Sequence, residues 1–147
     1  GSLEINNILL NELIKLDVKV IKNIHLSIQI PTIYLKSYRD KYLEISKNIN
    51  FFSFNSNLDY KNYDLIISRS GSGSLNDILY LTNSVHFIPH LHSRDNHQSL
   101  NLNFYKKYCH IHDILKIPIL KKDKNPFYIS SIINPFSIQK IICYTTR

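Results

Sequence analysis

Apolar and polar residues along the first third of the chain change their periodicity several times, and each change predicts an element of secondary structure. The segment 5–16 places apolar residues three or four positions apart, which predicts a helix with one buried face. Residues 24–30 alternate apolar and polar side chains up to Pro31, which predicts a strand. A largely solvated helix over 35–48 and a second strand over 49–54 are predicted to follow.

The middle of the chain repeats this alternation of strands and helices. Residues 63–68 (YDLIIS) contain a continuous apolar run, which is typical of a strand buried on both faces of a parallel sheet. A short helix over 74–81, a strand over 85–89 and a helix over 96–108 are predicted next. For the rest of the chain we expect a short strand at 109–114, then a less regular stretch ending in one or two helices.

The alternation of strand and helix predicts an α/β fold, with a Rossmann-like parallel sheet and helices on both of its faces. Because the 147 residues contain no repeat and no long linker, we expect a single domain over residues 1–147. Ligands of such sheets bind at the carboxyl ends of the strands. The turn at 68–74 and the loop at 90–95 should both lie at that edge, which would bring two polar clusters close together.

The first polar cluster is the turn 69–74 (RSGSGS), which holds two of the three glycines in the chain. Backbone N–H groups at the start of a helix attract anions, and glycine lets a phosphate approach closely, so the turn is a candidate phosphate site. It matches neither a Walker loop nor a full GxGxxG pattern. Ser74 with Asp77 would equally form a capping box, in which case the turn simply begins a helix. Asp77 could instead accept the hydroxyls of a nucleotide ribose.

The second polar cluster combines amide and imidazole groups at a helix start. His97, Gln98 and Asn101 suit the many hydroxyls of a sugar, although a polar helix start would also look this way, and His97 and Asn101 share a helix face. Two His-x-His pairs, at 90–92 and 110–112, lack an acidic residue at metal-ligand spacing. We therefore expect no metal site.

Composition narrows the classes of partner. The net charge of +7 and the pI of about 9.4 are compatible with a nucleic acid or an anionic membrane. The lysines are scattered, and no basic stripe carries interleaved aromatic residues, so we expect no nucleic-acid partner. The chain has two cysteines, which is typical of a reducing compartment. Its apolar runs are too short to cross a membrane.

Two motifs carry a family resemblance. One runs from Asp64 to Asp77, where an aliphatic strand leads into Arg-Ser-Gly and an acidic residue follows in the next helix. The other is Pro89 after a strand, followed by 97–101 (HQSLN). With these motifs the chain resembles the C-terminal, donor-binding domain of the MurG family of bacterial glycosyltransferases, glycosyltransferase family 28, which has the GT-B fold.

The resemblance implies a UDP-sugar site and a role for each of its residues. Asp77 would hold the ribose, Arg69 would brace the turn, and Asn101 would support the loop before its helix. The remaining implied contacts are Ser2 for the diphosphate, Phe52, Ser53 or Phe54 for the uracil, backbone N–H groups of Gly71, Ser72, Gly73 and Ser74 for the phosphates, and His97 and Gln98 for the sugar hydroxyls.

The same resemblance implies a reaction and its partners. The donor would be UDP-N-acetylglucosamine, whose sugar is transferred with inversion to lipid I in peptidoglycan synthesis, without a cofactor. Lipid I and the general base would belong to an N-terminal acceptor domain that this sequence lacks. The chain alone is therefore expected to be inactive and to hold no catalytic residue. The enzyme would be cytoplasmic, peripheral on the cytoplasmic face of the inner membrane, and in contact with an anionic membrane surface.

Departures from the family pattern keep other interpretations open. Glu4 stands where the family has a glycine beside the diphosphate, and Asp77 replaces a longer glutamate. Gly1-Ser2 resembles the end of a family loop, so the first, central strand of the domain is expected to be missing. The chain could alternatively be the donor subunit of a bipartite dolichol-linked N-acetylglucosamine transferase, or a basic α/β binding module that is not an enzyme.

Overall fold

The computed structural model of the chain describes residues 2–54, 57–78, 84–90, 94–108 and 140–144. These residues form five α-helices and five strands, joined by short 3-10 turns and loops. The helices are α1 (Ser2–Leu13), α2 (Val18–Lys22), α3 (Leu35–Ile45), α4 (Ser72–Ile78) and α5 (His97–Tyr108); the strands are β1 (His25–Gln29), β2 (Ile49–Phe52), β3 (Leu65–Ser68), β4 (Ser84–Phe87) and β5 (Lys140–Tyr144).

The five strands form one parallel sheet in the order β2-β1-β5-β3-β4. The register pairs Leu26 with Ile49 on one side of the sheet and Leu65 with Ser84 on the other. Since all strands run the same way, their carboxyl ends share one edge, which we call the carboxyl edge. The parallel α/β sheet predicted from the sequence is therefore confirmed.

Helices cover both faces of the sheet. Neighbouring residues of a strand point to opposite faces of the sheet, so the continuous apolar run of β3 contributes side chains to two separate hydrophobic cores. Ile67 lies in a buried cluster with Tyr42 of α3 and side chains of α1. Ile66 lies in a second cluster with Leu75 of α4 and Leu102 of α5. The two-faced arrangement expected of a Rossmann-like domain is confirmed.

Strand β5 differs from the sequence-based expectation. The sequence predicted one or two helices at the end of the chain, and for residues 140–144 this is wrong, because they form a strand between β1 and β3. The strand predicted at 109–114 lies outside the described residues. The central position, which we expected to lack its strand, is thus occupied by β5.

The sequence of β5 suits a central position. Ile141, Ile142 and Cys143 are all buried, as expected for a strand covered on both faces. Asp64, just before β3, fixes the start of β5: its backbone N–H donates to the carbonyl of Lys140 at 2.8 Å, and its carboxylate accepts from the backbone N–H of Lys140 at 2.8 Å. Burial raises the pKa of the Cys143 thiol to about 12, so the thiol stays protonated.

Buried polar side chains hold the start of α1 at the carboxyl edge. The amide of Asn6 donates to the carbonyl of Gln29, at the end of β1, over 3.2 Å. Its side-chain oxygen accepts from the hydroxyl of Tyr42 at 2.7 Å, and burial raises the pKa of Tyr42 well above its ordinary value. The hydroxyl of Tyr38 donates to Asn7 at 2.8 Å. Helix α1 begins at Ser2, earlier than predicted, and its first turn lies beside the strand ends.

Candidate functional site

The strand order identifies where a ligand should bind. From the centre of the sheet the chain first runs outward through β1 to β2, and later outward in the other direction through β3 to β4. Open α/β sheets bind their ligands outside the strand ends where this direction reverses. Here the reversal lies between β1 and β3, at the carboxyl end of β5. The first turn of α1 and the turn after β3 flank this position.

The turn after β3 passes from the buried interior to an exposed helix start. Ser68, Arg69 and Ser70 are buried, whereas Ser72 and Gly73 are exposed. The backbone N–H of Leu75 donates to the carbonyl of Gly71 at 3.0 Å, so the helix begins directly after Gly71.

The capping box considered for Ser74 and Asp77 is wrong. Ser74 lies in the first turn of α4 and is fully buried, because the helix begins at Ser72 and not at the predicted residue 74. Asp77, one turn from the helix start, is exposed. The exposed helix start therefore consists of Ser72 and Gly73, and the accessible carboxylate of Asp77 lies about one turn away.

Arg69 is a buried hub that ties three segments together. One terminal guanidinium nitrogen, Nη1, donates to the carbonyls of Ile88 and Pro89, just after β4, at 3.0 and 3.1 Å. The other, Nη2, donates to the carboxylate of Glu4 in α1 at 2.7 Å. Arg69 itself directly precedes the turn. The brace that the resemblance implied for this residue thus has definite partners in the structure.

The two sequence motifs are hydrogen-bonded to each other. The hydroxyl of Ser70 donates to the backbone carbonyl of Gln98 at 2.9 Å, and the amide of Asn101 donates to the backbone carbonyl of Ser70 at 3.3 Å. The side-chain oxygen of Gln98 accepts from the backbone N–H of His90 at 2.8 Å. Asn101 therefore holds the turn, while Gln98 holds the loop after β4.

The start of α5 has an unusual backbone and a defined histidine. Asp95 and Asn96 have φ values of 55° and 53°, in the left-handed region that few residues other than glycine adopt. Such conformations are concentrated at functional sites. His97 is exposed, and its Nδ1 lies 2.7 Å from the carbonyl of Arg94. Because a carbonyl only accepts, Nδ1 carries the proton, and in the neutral ring Nε2 is left as an acceptor.

The remaining candidates are spread along the carboxyl edge. Phe52 ends β2 and is partly buried, Ser53 follows it, and Phe54 is exposed. Strand β2 lies three positions from β3 in the sheet, which is about 14 Å at the usual strand spacing. Ser2 is the first residue of α1, beside the centre of that edge. The candidates thus form a row from β2 to α5 and not one compact cluster.

Sequence reasoning missed the residues that hold this edge together. Asn6 and Tyr42 look like ordinary helix residues, and nothing in the sequence pairs Glu4 with Arg69. One available signal was the position of Asn6 beside the apolar residues Ile5 and Leu9 of α1, where a buried polar group must have a partner.

The fold, the strand reversal and the linked motifs define an α/β domain with a candidate ligand site at its carboxyl edge. The chain matches the Glycosyltransferase family 28 C-terminal domain over residues 1–109, and it belongs to that family.

Curated relatives are consistent with this assignment. Over 94 residues, 63% of this chain and 25% of the relative, the chain is 36% identical to the UDP-N-acetylglucosamine–N-acetylmuramyl-(pentapeptide) pyrophosphoryl-undecaprenol N-acetylglucosamine transferase of Christiangramia forsetii. Over 106 residues it is 34% identical to the protein of that name from Campylobacter jejuni subsp. doylei, covering 71% of this chain and 30% of the relative. The chain therefore spans about a quarter to a third of these relatives. No solved structure matches it.

Membrane-spanning helices and clusters of metal-ligating side chains are both absent from the described residues. In the part of the chain that the structure describes, no helix is long and apolar enough to cross a membrane. Among the same residues, no three His, Cys, Asp or Glu side chains come together as metal ligands would.

Proposed function

We propose that this chain is a UDP-N-acetylglucosamine-binding domain, over residues 1–147, of an inverting N-acetylglucosaminyltransferase that acts on lipid I. The observation that carries the proposal is the linkage of the two family motifs across the strand reversal. The Ser70 hydroxyl donates a hydrogen bond to the backbone carbonyl of Gln98, and the Asn101 amide donates one to the backbone carbonyl of Ser70. In the proposal, the turn and the start of α5 therefore form one side of one site. A site of this kind lies where nucleotides bind in Rossmann-like sheets.

The diphosphate is proposed to lie at the centre of the carboxyl edge. Ser2 in α1 flanks that position on one side, and the backbone of partly exposed Gly71 and of exposed Ser72 and Gly73 flanks it on the other. Glycine has no Cβ, so phosphate oxygens can approach the backbone N–H groups closely. Ser74 is fully buried in the first helical turn, so the phosphate contacts are proposed to lie on residues 71–73.

The ribose and uracil are proposed to extend from there. Exposed Asp77 accepts the ribose hydroxyls, since its carboxylate is not used to cap the helix. The aromatic ring of Phe52 or Phe54 lies beside the uracil at the end of β2, with Ser53 available for a polar contact. An aromatic ring suits the flat face of a base.

The N-acetylglucosamine is proposed to lie against the start of α5. His97 accepts a hydrogen bond from a sugar hydroxyl at Nε2, because its Nδ1–H donates to the backbone carbonyl of Arg94. Gln98 donates through its amide NH2 group, because its side-chain oxygen is engaged by His90. Asn101 acts indirectly, by holding the turn.

In the proposed reaction, the acceptor hydroxyl oxygen attacks the anomeric carbon of the sugar as the bond from that carbon to UDP breaks. The sugar is transferred with inversion, and the hydroxyl proton passes to a general base outside this chain. Negative charge grows on the departing UDP, and the N–H groups after Gly71 stabilise that charge. No cofactor is needed for this chemistry.

The acceptor and the location are also part of the proposal. We propose that lipid I binds through the acceptor domain, and that the enzyme works as a peripheral protein at the cytoplasmic face of an anionic membrane. The net charge of +7 favours such a surface.

Replacing Asp77 by alanine should weaken UDP-N-acetylglucosamine binding about 10- to 100-fold. The reason is that hydrogen bonds to a charged carboxylate contribute roughly 1.5–3 kcal/mol. Isothermal titration calorimetry of the purified chain with the donor measures the dissociation constant directly. Asp40→Ala is the matched control, because Asp40 is an exposed aspartate in the middle of α3 and its loss changes the net charge equally.

Equal donor affinities for the wild type and the Asp77 variant would contradict the proposed ribose contact. Absence of binding by a folded wild-type chain would contradict the donor site itself. A non-enzymatic basic module would instead bind anionic polymers or vesicles with steep salt dependence and ignore uridine nucleotides.

A further inference from the structure

Arg69 brings a buried positive charge to the carboxyl edge. Its side chain is 4% exposed, and a cation in such a position needs a compensating partner. Two backbone carbonyls, of Ile88 and Pro89, satisfy one side of the guanidinium. The carboxylate of Glu4 adds a full negative charge at 2.7 Å on the other side.

Glu4 differs from Arg69 in how firmly it is held. Its side chain is 43% exposed, so the carboxylate can rotate into water at little desolvation cost, whereas Arg69 is fixed from both sides. Among the described residues, the Glu4 carboxylate accepts its hydrogen bond from Nη2 of Arg69. The pair therefore consists of an immobile cation and an anion that can leave it.

Each member of the pair is two residues away from a group assigned to the diphosphate. Glu4 follows Ser2 by two residues in the first turn of α1, and Arg69 precedes Gly71 by two residues. A diphosphate held between Ser2 and the turn would therefore share the carboxyl edge with the Glu4 carboxylate, and like charges brought together there repel each other.

We propose that Glu4 is a resident counter-ion of Arg69 that competes with the diphosphate of the donor, and so sets how tightly this chain holds a nucleoside diphosphate. This inference rests on the proposed function. In the empty site Glu4 neutralises Arg69. When a diphosphate binds, its negative charge takes over part of that role and the Glu4 carboxylate moves toward solvent.

Glu4→Gln tests this proposal because it keeps the shape of the side chain and removes the charge. We expect the variant to bind UDP roughly three- to tenfold more tightly than the wild type at low ionic strength, because a repulsion between like charges is removed. We also expect a small loss of stability in urea unfolding, because the ion pair is lost. Affinity and stability should thus change in opposite directions.

Two companion variants make the test specific. Glu44→Gln removes one negative charge from exposed Glu44 near the end of α3, at the opposite edge of the sheet, and should change UDP affinity less than twofold. Glu4→Asp keeps a carboxylate at the position and should bind UDP much more like the wild type than Glu4→Gln does.

The outcomes separate this inference from the proposed function. If the wild type binds UDP and Glu4→Gln binds it equally or more weakly, Glu4 only braces the fold, and the competition is refuted while the donor site stands. If neither the folded wild type nor the variants bind UDP, the donor site and the competition both fail. Tighter binding by Glu4→Gln alone supports the proposal.

Discussion

Ile142→Ala should lower the free energy of unfolding by about 3 kcal/mol, within the range of roughly 2–5 kcal/mol typical of buried isoleucine. Ile142 is 0% exposed and packs in the cluster formed with α4 and α5, in the middle of the sheet. Its neighbour Ile141, equally buried, packs in the cluster on the opposite face. Truncating either residue removes contacts that the surrounding strands cannot replace by collapse.

Urea unfolding of the wild type and both alanine variants measures the effect. Ile33→Ala is the matched control, since Ile33 is 81% exposed and its truncation should change stability by less than about 0.5 kcal/mol. If Ile142→Ala were as mild as Ile33→Ala, residues 140–144 would not form the central strand.

Arg69→Met should cost about 2–4 kcal/mol of stability, because it leaves two buried carbonyls unsatisfied, at roughly 1–3 kcal/mol each. These carbonyls belong to Ile88 and Pro89, and in the variant each of them loses its hydrogen bond from Nη1 of Arg69. Glu4, being largely accessible to water, adds little to the cost. Donor binding should weaken as well, because Arg69 fixes the turn relative to the loop after β4.

Arg39→Met provides the control for the Arg69 prediction. Arg39 is exposed on α3, so the same chemical change there should have little effect on unfolding or on donor binding. If Arg69→Met lowered the free energy of unfolding by less than about 0.5 kcal/mol, the hydrogen bonds of Arg69 would not stabilise the carboxyl edge of the sheet.

Strands with a continuous apolar pattern were predictable from the sequence. The strands predicted at 63–68 and 85–89 correspond to β3 and β4, and their short apolar runs, bounded by polar residues or proline, distinguish them from helices. Strand β5 was missed because three apolar residues, Ile141, Ile142 and Cys143, follow a stretch rich in proline and polar residues. What makes them a strand is pairing with β1 and β3, more than 70 residues earlier, and no local pattern reveals such pairing.

The candidate site was predictable in part. Gly71 and Gly73 marked the turn, because glycine is rare elsewhere in this chain. The helix start was misplaced by two residues, since Ser74 and Asp77 have capping spacing but the backbone already turns after Gly71. The bonds from Gln98 to His90 and from Arg69 to Glu4 depend on tertiary packing, so sequence spacing could not show them.

Donor binding at the turn after β3 is tested most directly by a backbone amide correlation spectrum of the isotope-labelled chain during titration with UDP-N-acetylglucosamine. Because the chain has three glycines, the amide signals of Gly71 and Gly73 can be assigned readily. If the turn binds the donor, both signals should shift and saturate along one binding curve, and Asp77→Ala should move this curve to higher donor concentrations. Unmoved glycine signals in a chain whose spectrum is that of a folded protein would contradict the donor site.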